Sequence, residues 1–225
     1  MSKLFIIPTP VGNLEDMSFR AIRLLQEVEL VLCEDTRVTG KLLKHYEIGT
    51  RMLSFHQHNE HRLLESIISR IAGGEVMALV SDAGMPGISD PAFLLVRACV
   101  SAGIPVEALP GPTAFVPALV ASGIPCDRFC FEGFLPVKKG RKSRLEILSD
   151  ESRTMVFYES PYRLVKTLKE FSVVFGAERM ACVSREISKL YETHHRGDLA
   201  SLHQEFMSGT VKGEITIVVA GKDGV

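Results

Sequence analysis

Three short segments rich in glycine and proline hold the residues best suited to chemistry. Each follows an apolar run and precedes a helix-like stretch, and they are residues 7–13 (IPTPVGN), 81–91 (SDAGMPGISDP) and 109–114 (LPGPTA). Loops at the carboxyl ends of parallel strands leave a crevice with free backbone groups, where ligands bind. Gly84 and Gly87 would let the backbone approach a ligand closely. The segments therefore predict one binding crevice, although Gly and Pro are also common in loops that bind nothing.

Two familiar kinds of site do not fit the sequence. No loop has the G-x-G-x-x-G spacing, and no G-x-x-x-x-G-K-[ST] pattern occurs, which argues against P-loop nucleotide hydrolysis. His56 and His58 are separated by one residue within residues 54–61, a spacing that could suggest a metal site. They lie, however, at a predicted strand end, and the Asn59 that follows is a typical helix N-cap. The five cysteines lack a second ligand pair at metal spacing. We therefore expect no metal, and either substrate contact or loop structure for residues 54–61.

Alternating apolar and amphipathic stretches in the first half predict the elements that position these loops. Apolar runs of strand length occur at residues 4–7, 30–33, 52–55, 76–80 and 106–108. Helical spacing occurs at residues 19–28, 38–46, 60–72, 93–101 and 114–121. Strands separated by helices of this length predict crossover connections and a largely parallel sheet.

The second half has fewer helices than strands. Its strand candidates are residues 129–134, 154–158, 180–187, 190–196 and 214–220. Its helix candidates are residues 137–148, 161–171 and 199–207. The close pair of strands around Ser188 and Lys189 predicts a hairpin and hence a mixed sheet. We therefore predict two α/β domains, residues 1–121 with a mainly parallel sheet and residues 122–225 with a mixed sheet, and a ligand in the cleft between them.

The composition is that of an ordinary globular protein. Of 225 residues, 46% are hydrophobic and 24% are charged. No apolar run approaches the roughly 18 residues of a membrane helix, and no signal-peptide pattern opens the chain, so we expect a cytoplasmic protein with no membrane partner. The net charge of −1 offers no general attraction to nucleic acid, so an RNA partner would need a local basic patch.

Seven segments together resemble a known family. They are PTPVGNLED (8–16), EDTR (34–37), SFHQHNE (54–60), SDAGMPGISDP (81–91), PGPTA (110–114), FYESPYR (157–163) and GEITIVV (213–219). In this order, and over nearly the whole chain, they are similar to the tetrapyrrole methylase superfamily, in the branch that methylates bacterial ribosomal RNA. Met85 and Ala92 stand where relatives more often have Thr and Gly, and longer relatives carry a small extra C-terminal segment.

The resemblance implies a fold, a cofactor and a substrate. We expect a tetrapyrrole methylase-like fold of two α/β domains, S-adenosylmethionine as cofactor, and methylation of a cytidine ribose 2′-hydroxyl in the 16S ribosomal RNA of the small subunit, by a homodimer. Two rivals stay open: a methylase acting on a small tetrapyrrole, and a module that binds RNA or the cofactor without chemistry. The basic run at residues 138–144 argues against the first, and the intact loops argue against the second.

The resemblance places the cofactor contacts in the three loops and on one strand of the second half. Backbone donors suit the cofactor's carboxylate, and apolar surface suits its adenine. Met85 departs from the family pattern, so only its backbone is expected to act, and Asp82 could equally cap a turn. The residues carried over are Pro10, Asp82, Ala83, Gly84, Met85, Ile88, Thr113, Ala114 and Tyr158.

Methyl transfer to a hydroxyl needs aligned reactants and a group that takes the hydroxyl proton. Alignment contributes about 7–11 kcal/mol, and a positioned base typically gives about 10²–10⁴-fold. Glu159 is the base we choose, because it follows Tyr158 and Arg163 lies four residues on, where it could orient the carboxylate; a purely structural Glu–Arg pair is the alternative. The other candidates are Glu34, Asp35, Glu60 and Glu186.

Basic residues concentrate in the run KKGRKSR, at residues 138–144. Such runs are often solvated helix faces, but cations at a helix start oppose the helix dipole, which favours a phosphate-binding role here. The residues from which we expect RNA contacts are Arg37, His56, Asn59, Lys138, Lys139, Arg141, Lys142, Arg144, Arg185 and Lys189.

Overall fold

The computed structural model describes residues 2–90, 92–222 and 224. Contacts between Cα atoms divide the chain into two compact units, the N-terminal unit Met1–Thr113 and the C-terminal unit Ala114–Val225. Each unit is built around its own five-stranded sheet.

The N-terminal unit is a parallel sheet with helices on both faces. Its strands are β1 (Lys3–Ile6), β2 (Leu30–Cys33), β3 (Met52–Ser54), β4 (Val76–Val80) and β5 (Val106–Ala108). Its helices are α1 (Phe19–Glu27), α2 (Thr36–His45), α3 (Glu60–Ala72) and α4 (Phe93–Ser101), with a short 3-10 helix at Leu14–Asp16. The strand order is β3-β2-β4-β1-β5, and each neighbouring pair is parallel.

Successive residues of the central strands are buried on opposite faces of this sheet. On one face, strand residues such as Phe5 and Val31 pack with Leu24 of α1 and Leu43 of α2. On the other face, strand residues pack with Ile67 of α3 and with residues of α4. Burial on both sides explains why these strands are continuous apolar runs in the sequence rather than alternating ones.

The strand order creates a crevice at the carboxyl ends of β1 and β4. These strands are neighbours, but β1 leads through α1 toward β2 on one side, and β4 leads through α4 toward β5 on the other. Where adjacent parallel strands send their connections in opposite directions, the loops separate, and ligands of open α/β sheets bind there. The predicted ligand loops at residues 7–13 and 81–91 follow these two strands.

The C-terminal unit is a mixed sheet. Its strands are β6 (Phe129–Phe134), β7 (Thr154–Glu159), β8 (Met180–Arg185), β9 (Thr193–Asp198) and β10 (Ile215–Val219), in the order β6-β7-β10-β8-β9. Its helices are α5 (Phe115–Ala121), α6 (Arg141–Leu148), α7 (Leu164–Phe175) and α8 (Leu199–Met207). β6 and β7 are parallel, and the remaining pairs are antiparallel.

The structure moves the predicted domain boundary from residue 121 to residue 113. The cause is α5, whose Ala118 and Leu119 are buried against Val156 and Val218 of the second sheet. Helices α6, α7 and α8 cover the opposite face of that sheet. The predicted boundary therefore falls after the first helix of the C-terminal unit instead of before it.

Most predicted elements are confirmed, and the differences lie at their ends. The hairpin is present as β8 and β9, but its connection is longer than predicted, with Glu186 and Ser188 at φ of 53° and 62°. Helix α6 begins at Arg141 and not at residue 137, because Gly140 before it has a φ of 84°. Lys138 and Lys139 therefore precede the helix rather than forming its first turn.

Candidate functional site

The loops after β1 and β4 are joined by backbone hydrogen bonds. The amide of Thr9 donates to the carbonyl of Gly84, and the amide of Gly84 donates to the carbonyl of Thr9, both at 2.9 Å. The buried hydroxyl of Thr9 donates to the carbonyl of Ser81 at 2.9 Å, and that of Ser81 donates to the carbonyl of Gly84 at 3.0 Å. This loop crossing fixes the backbone at the mouth of the crevice.

The third loop meets the same crossing. Gly84 has a φ of 82°, and a Cβ atom added there would lie 3.4 Å from Val11, 3.7 Å from the carbonyl of Pro112 and 3.9 Å from Cα of Thr113. Gly111 lies so close to Pro8 that an added Cβ would come within 2.4 Å of its ring. The three segments predicted to form one crevice therefore converge within the N-terminal unit.

The predicted cofactor residues other than Gly84 have different surroundings. Met85 packs partly against the core formed with α3 and α4, so its side chain points inward, and its carbonyl accepts from the amide of Ile88 at 3.2 Å. Tyr158 lies on β7, where its ring packs against Phe131 and Phe134. The remaining residues are Pro10, Asp82, Ala83 and Thr113 in the N-terminal unit and Ala114 in the C-terminal unit.

A cavity of about 290 Å³ lies between the first loop and α2. Pro10, Asp82 and Thr39 are among its lining residues. The hydroxyl oxygen of Thr39 is buried beside the thiol of Cys33, a weak hydrogen-bonding group; burial raises the pKa of that thiol, and the Thr39 hydroxyl partly opposes the rise. Buried polar atoms are normally satisfied, so this hydroxyl is suited to a polar group of a ligand.

A second cavity of about 440 Å³ lies at the carboxyl ends of β2, β3 and β4. Glu34, Asp82 and His56 line it. Burial, and then the neighbouring Asp82, raise the pKa of the Glu34 carboxyl, while His56 opposes the rise. The amide of Asp35 donates to Asp82 Oδ1 at 3.2 Å, which ties the end of β2 to the loop after β4.

Asp90 is a candidate site residue that the sequence pattern did not indicate. Burial, and then the carboxylates of Glu34 and Asp82, raise the pKa of Asp90 to about 6, against the opposing contact with Ser81. A carboxyl group shifted this far by burial and like charge is typical of functional sites. In the sequence, Asp90 stands in the tripeptide S-D-P, which is typical of a turn. The burial that raises its pKa comes from tertiary packing, which the local pattern does not show.

Comparison with known proteins decides the family. The family model described as Tetrapyrrole (Corrin/Porphyrin) Methylases matches residues 3–203. The chain belongs to this family. Proteins named ribosomal RNA small subunit methyltransferase I are 49% identical in Pseudomonas aeruginosa, over 97% of this chain and 78% of the relative, and 44% identical in Thermotoga maritima, over 99% of this chain and all of the relative.

Solved structures show the same fold. Uroporphyrin-III-C-methyltransferase from Thermus thermophilus is similar with a TM-score of 0.67 at 20% identity, over 99% of this chain and 95% of that one. The methyltransferase CobJ is similar with a TM-score of 0.72 at 18% identity, over 98% of this chain and 95% of that one. This tetrapyrrole methylase is thus a methyltransferase of a family that uses S-adenosylmethionine.

The predicted base Glu159 has both carboxylate oxygens engaged inside the C-terminal unit. Oε1 accepts from the amide of Ser160 at 2.7 Å and pairs with Arg163 at 2.8 Å. Oε2 accepts from the hydroxyl of Thr167 at 2.6 Å and lies 3.7 Å from Arg141. With a side chain 1% exposed, Glu159 is the centre of a buried ionic cluster, which favours the structural alternative over proton abstraction.

Two of the five residues in the basic run are also committed to internal pairs. Arg141 donates to Glu170 at 2.7 Å and to Thr167 at 2.7 Å, and it is buried. Arg144 donates to Glu132 from two nitrogens, at 2.8 and 2.7 Å. These bonds engage both guanidinium groups within the protein, so the lysines of the run are the more available for the RNA contacts that we predicted. Lys138, Lys139 and Lys142 remain exposed on the surface.

Three other residues predicted to contact RNA are also held by bonds within the protein. Arg185 donates to the carbonyl of Lys212, and Lys189 pairs with Glu186 at 3.0 Å, so both stabilise the connection after β8. Asn59 begins α3 as predicted, but its side chain bonds to Ser54 and His56 instead of capping the helix or facing outward.

Arg37 and His56 lie on the cavity that holds Glu34. Arg37 is 87% exposed and donates to Asp35 at 2.6 Å, a contact that lowers the pKa of Asp35 to about 2.

Within residues 2–90, 92–222 and 224, no group of His, Cys, Asp and Glu side chains could hold a metal ion. None of the helices in the described part of the chain has the length and apolarity to traverse a bilayer.

Proposed function

We propose that this tetrapyrrole methylase transfers a methyl group from S-adenosylmethionine to the 2′-hydroxyl of a cytidine ribose in the 16S RNA of the small ribosomal subunit. The observation that carries the proposal is the loop crossing at Thr9 and Gly84, in a chain that is 44–49% identical to proteins named for methylation of small-subunit ribosomal RNA. The substrate also gives the place of action, the cytoplasm. The proposed assembly is a homodimer.

The cofactor would be held by the three converging loops. The bonded pair Thr9 and Gly84 fixes the first two loops against each other, and the hydroxyl of Thr39 lies beside Pro10 and Asp82 on the wall of the adjoining cavity. These features fit a ligand with a charged amino-acid tail and an apolar base. When bound, S-adenosylmethionine supplies a methyl group on a positively charged sulfur.

Glu34 replaces Glu159 as the proposed base. Among the alternatives, Asp35 is held as a carboxylate by Arg37, and Glu186 accepts the amide of Glu214 and pairs with Lys189, which lowers its pKa. Glu34 lines an open cavity, and burial beside Asp82 raises its pKa, which brings a carboxylate closer to the pH of the cell. A base whose pKa lies nearer the working pH accepts a proton more effectively.

Once both substrates are bound, the remaining chemical task of the protein is to remove the proton of the ribose hydroxyl. Bound S-adenosylmethionine would supply the methyl group, with the electron pair of the broken carbon–sulfur bond staying on sulfur, and the carboxylate of Glu34 would accept the proton of the ribose hydroxyl. His56, which lines the same cavity as Glu34, would orient the ribose by a hydrogen bond. Alignment remains the larger contribution, about 7–11 kcal/mol against the smaller gain from a base.

Mass spectrometry of treated subunits tests the proposal. Purified protein and isotopically labelled S-adenosylmethionine are incubated with small subunits from a strain that lacks the enzyme, and the RNA is digested to nucleosides. Labelled 2′-O-methylcytidine is the expected product. Label on a base, or label transferred to a uroporphyrinogen offered in parallel, would overturn the proposal, and the second result would support the small-molecule rival.

A further inference from the structure

A groove in the C-terminal unit is lined by lysines from two elements. Its cavity of about 740 Å³ lies between the start of α6 and the outer face of α7. We call it the lysine groove and define it by the four lysines Lys138, Lys142, Lys166 and Lys169. Lys166 and Lys169 were not among the predicted RNA contacts, because they lie 22 and 25 residues beyond the end of the basic run at residue 144 and belong to the ordinary helical pattern of α7.

The lysines of the groove are nearly free of partners. Lys142 is 92% exposed and lies 3.8 Å from Glu146, and Lys166 is 71% exposed and lies 3.9 Å from Glu170. Exposed pairs at such distances contribute little, typically less than about 1 kcal/mol. Lys138 and Lys169 have no ion pair among the residues that the structure describes.

The position of these charges is unfavourable for the fold alone. Arg141 and Lys142 occupy the first turn of α6 without any acidic residue there, so they face the positive end of the helix dipole. Lys166 and Lys169 are neighbours on one face of α7 and repel each other. An anionic ligand would reduce both the unfavourable interaction with the helix dipole and the repulsion between the lysines. A helix face that contacts only solvent gives no reason for placing the charges there.

The floor of the groove is apolar and partly open. Val137 is 63% exposed and Val173 is 78% exposed, and Val174 and Leu145 complete the floor. Rows of cations on either side of an apolar floor match a nucleic-acid strand, whose phosphates are charged and whose sugars and bases offer flat apolar faces. Lysine binds phosphate as a point charge and needs no fixed geometry.

We propose that the lysine groove binds the phosphate backbone of an RNA strand, with α7 contributing Lys166 and Lys169 as contacts beside those of the basic run. The occupant is RNA and not an acidic protein, and this choice rests on the proposed function. The groove binds the backbone without reading sequence, because it holds charges and aliphatic surface but no amide or guanidinium group free to pair with base edges.

The salt dependence of RNA binding tests the groove. The full chain and the double variant K166A/K169A are titrated with a fluorescein-labelled, 20-nucleotide single-stranded RNA of mixed sequence at several salt concentrations. The matched control is K44A/K212A, which removes two exposed lysines outside the groove. The groove variant should lower the slope of log affinity against log salt by about 1.4, since each single-strand phosphate contributes about 0.7.

At near-physiological salt this loss corresponds to roughly tenfold weaker binding, with cofactor affinity and thermal unfolding unchanged. If K166A/K169A has the same salt slope for RNA binding as the control, the inference is overturned. If that slope is intact but the variant no longer binds a poly-glutamate peptide, the occupant is an acidic protein segment. Methylation of subunits by the unaltered chain is measured separately. If that fails while the slope still falls, the proposed function is wrong and the groove stands.

Discussion

Replacing Gly84 by alanine separates the ligand role of the loop crossing from its structural role. The backbone there has a φ of 82°, a region that costs an L-residue roughly 1–2 kcal/mol. Gly103 provides the matched control, since it has a φ of 69° and an added Cβ would meet nothing within 4 Å. Both variants should therefore lose about 1–2 kcal/mol of unfolding free energy in urea.

Cofactor affinity should differ between the two variants. The new methyl group in Gly84→Ala would lie 3.4 Å from Val11 and 3.7 Å from the carbonyl of Pro112, on the surface where the three loops meet. A shift of the loop backbone on either side of Gly84 that loses one or two hydrogen bonds to the ligand costs about 1–3 kcal/mol, or roughly 5- to 150-fold in affinity.

Isothermal titration calorimetry with S-adenosylmethionine should show that loss for Gly84→Ala and unchanged affinity for Gly103→Ala. If both variants bind within twofold of the parent, the loop crossing is not the cofactor site and the geometry has been misread.

Three further predictions concern carboxylates. Glu34→Gln should lower single-turnover methylation by about 10²–10⁴-fold with both substrates still bound, and a loss below about threefold removes it as the base. Glu159→Gln should instead lower the free energy of unfolding in urea by about 3 kcal/mol, because it leaves Arg141 and Arg163 poorly compensated. The folded fraction should react at the parent rate. A stable but inactive variant would restore Glu159 as the base. Because the pKa of Asp90 is raised to about 6 from about 3.9 when unfolded, the folded state binds the extra proton and the chain gains stability as pH falls from about 6 to 4. Asp90→Asn should therefore be about 1–2 kcal/mol more stable than the parent at pH 7, after discounting for solvent screening, and equal to it at pH 4; parallel pH profiles of urea unfolding would contradict this.

The elements and the ligand loops could be predicted from sequence because their signals are local. Strand β4, for example, is a continuous apolar run, and the turn residues after it indicate where the strand ends. The convergence of three such loops follows from the rule that parallel strands present their carboxyl ends at one edge. The boundary at residue 113 could not be predicted, because it depends on which sheet buries Ala118 and Leu119.

The choice of a base among the carboxylates also depends on contacts that the sequence does not show. Glu34 and Glu159 each lie at the carboxyl end of a buried strand, and the sequence shows only the nearby Arg163 as a partner for Glu159. Thr167 and Arg141 complete the cage around Glu159 from another turn and another helix. Such contacts are set by tertiary packing, so local spacing cannot separate a buried structural carboxylate from one that faces a cavity.

The buried pairing of Arg141 also sets the width of the lysine groove. Its guanidinium group bonds to Thr167 and Glu170 and so fastens the first turn of α6 to α7. The helix segments that carry the two rows of lysines are therefore held together before any ligand arrives, and only the lysine side chains have to become ordered on binding. If the groove binds RNA as proposed, the separation of the two helices, and not the base sequence, would decide which strands fit between the lysines.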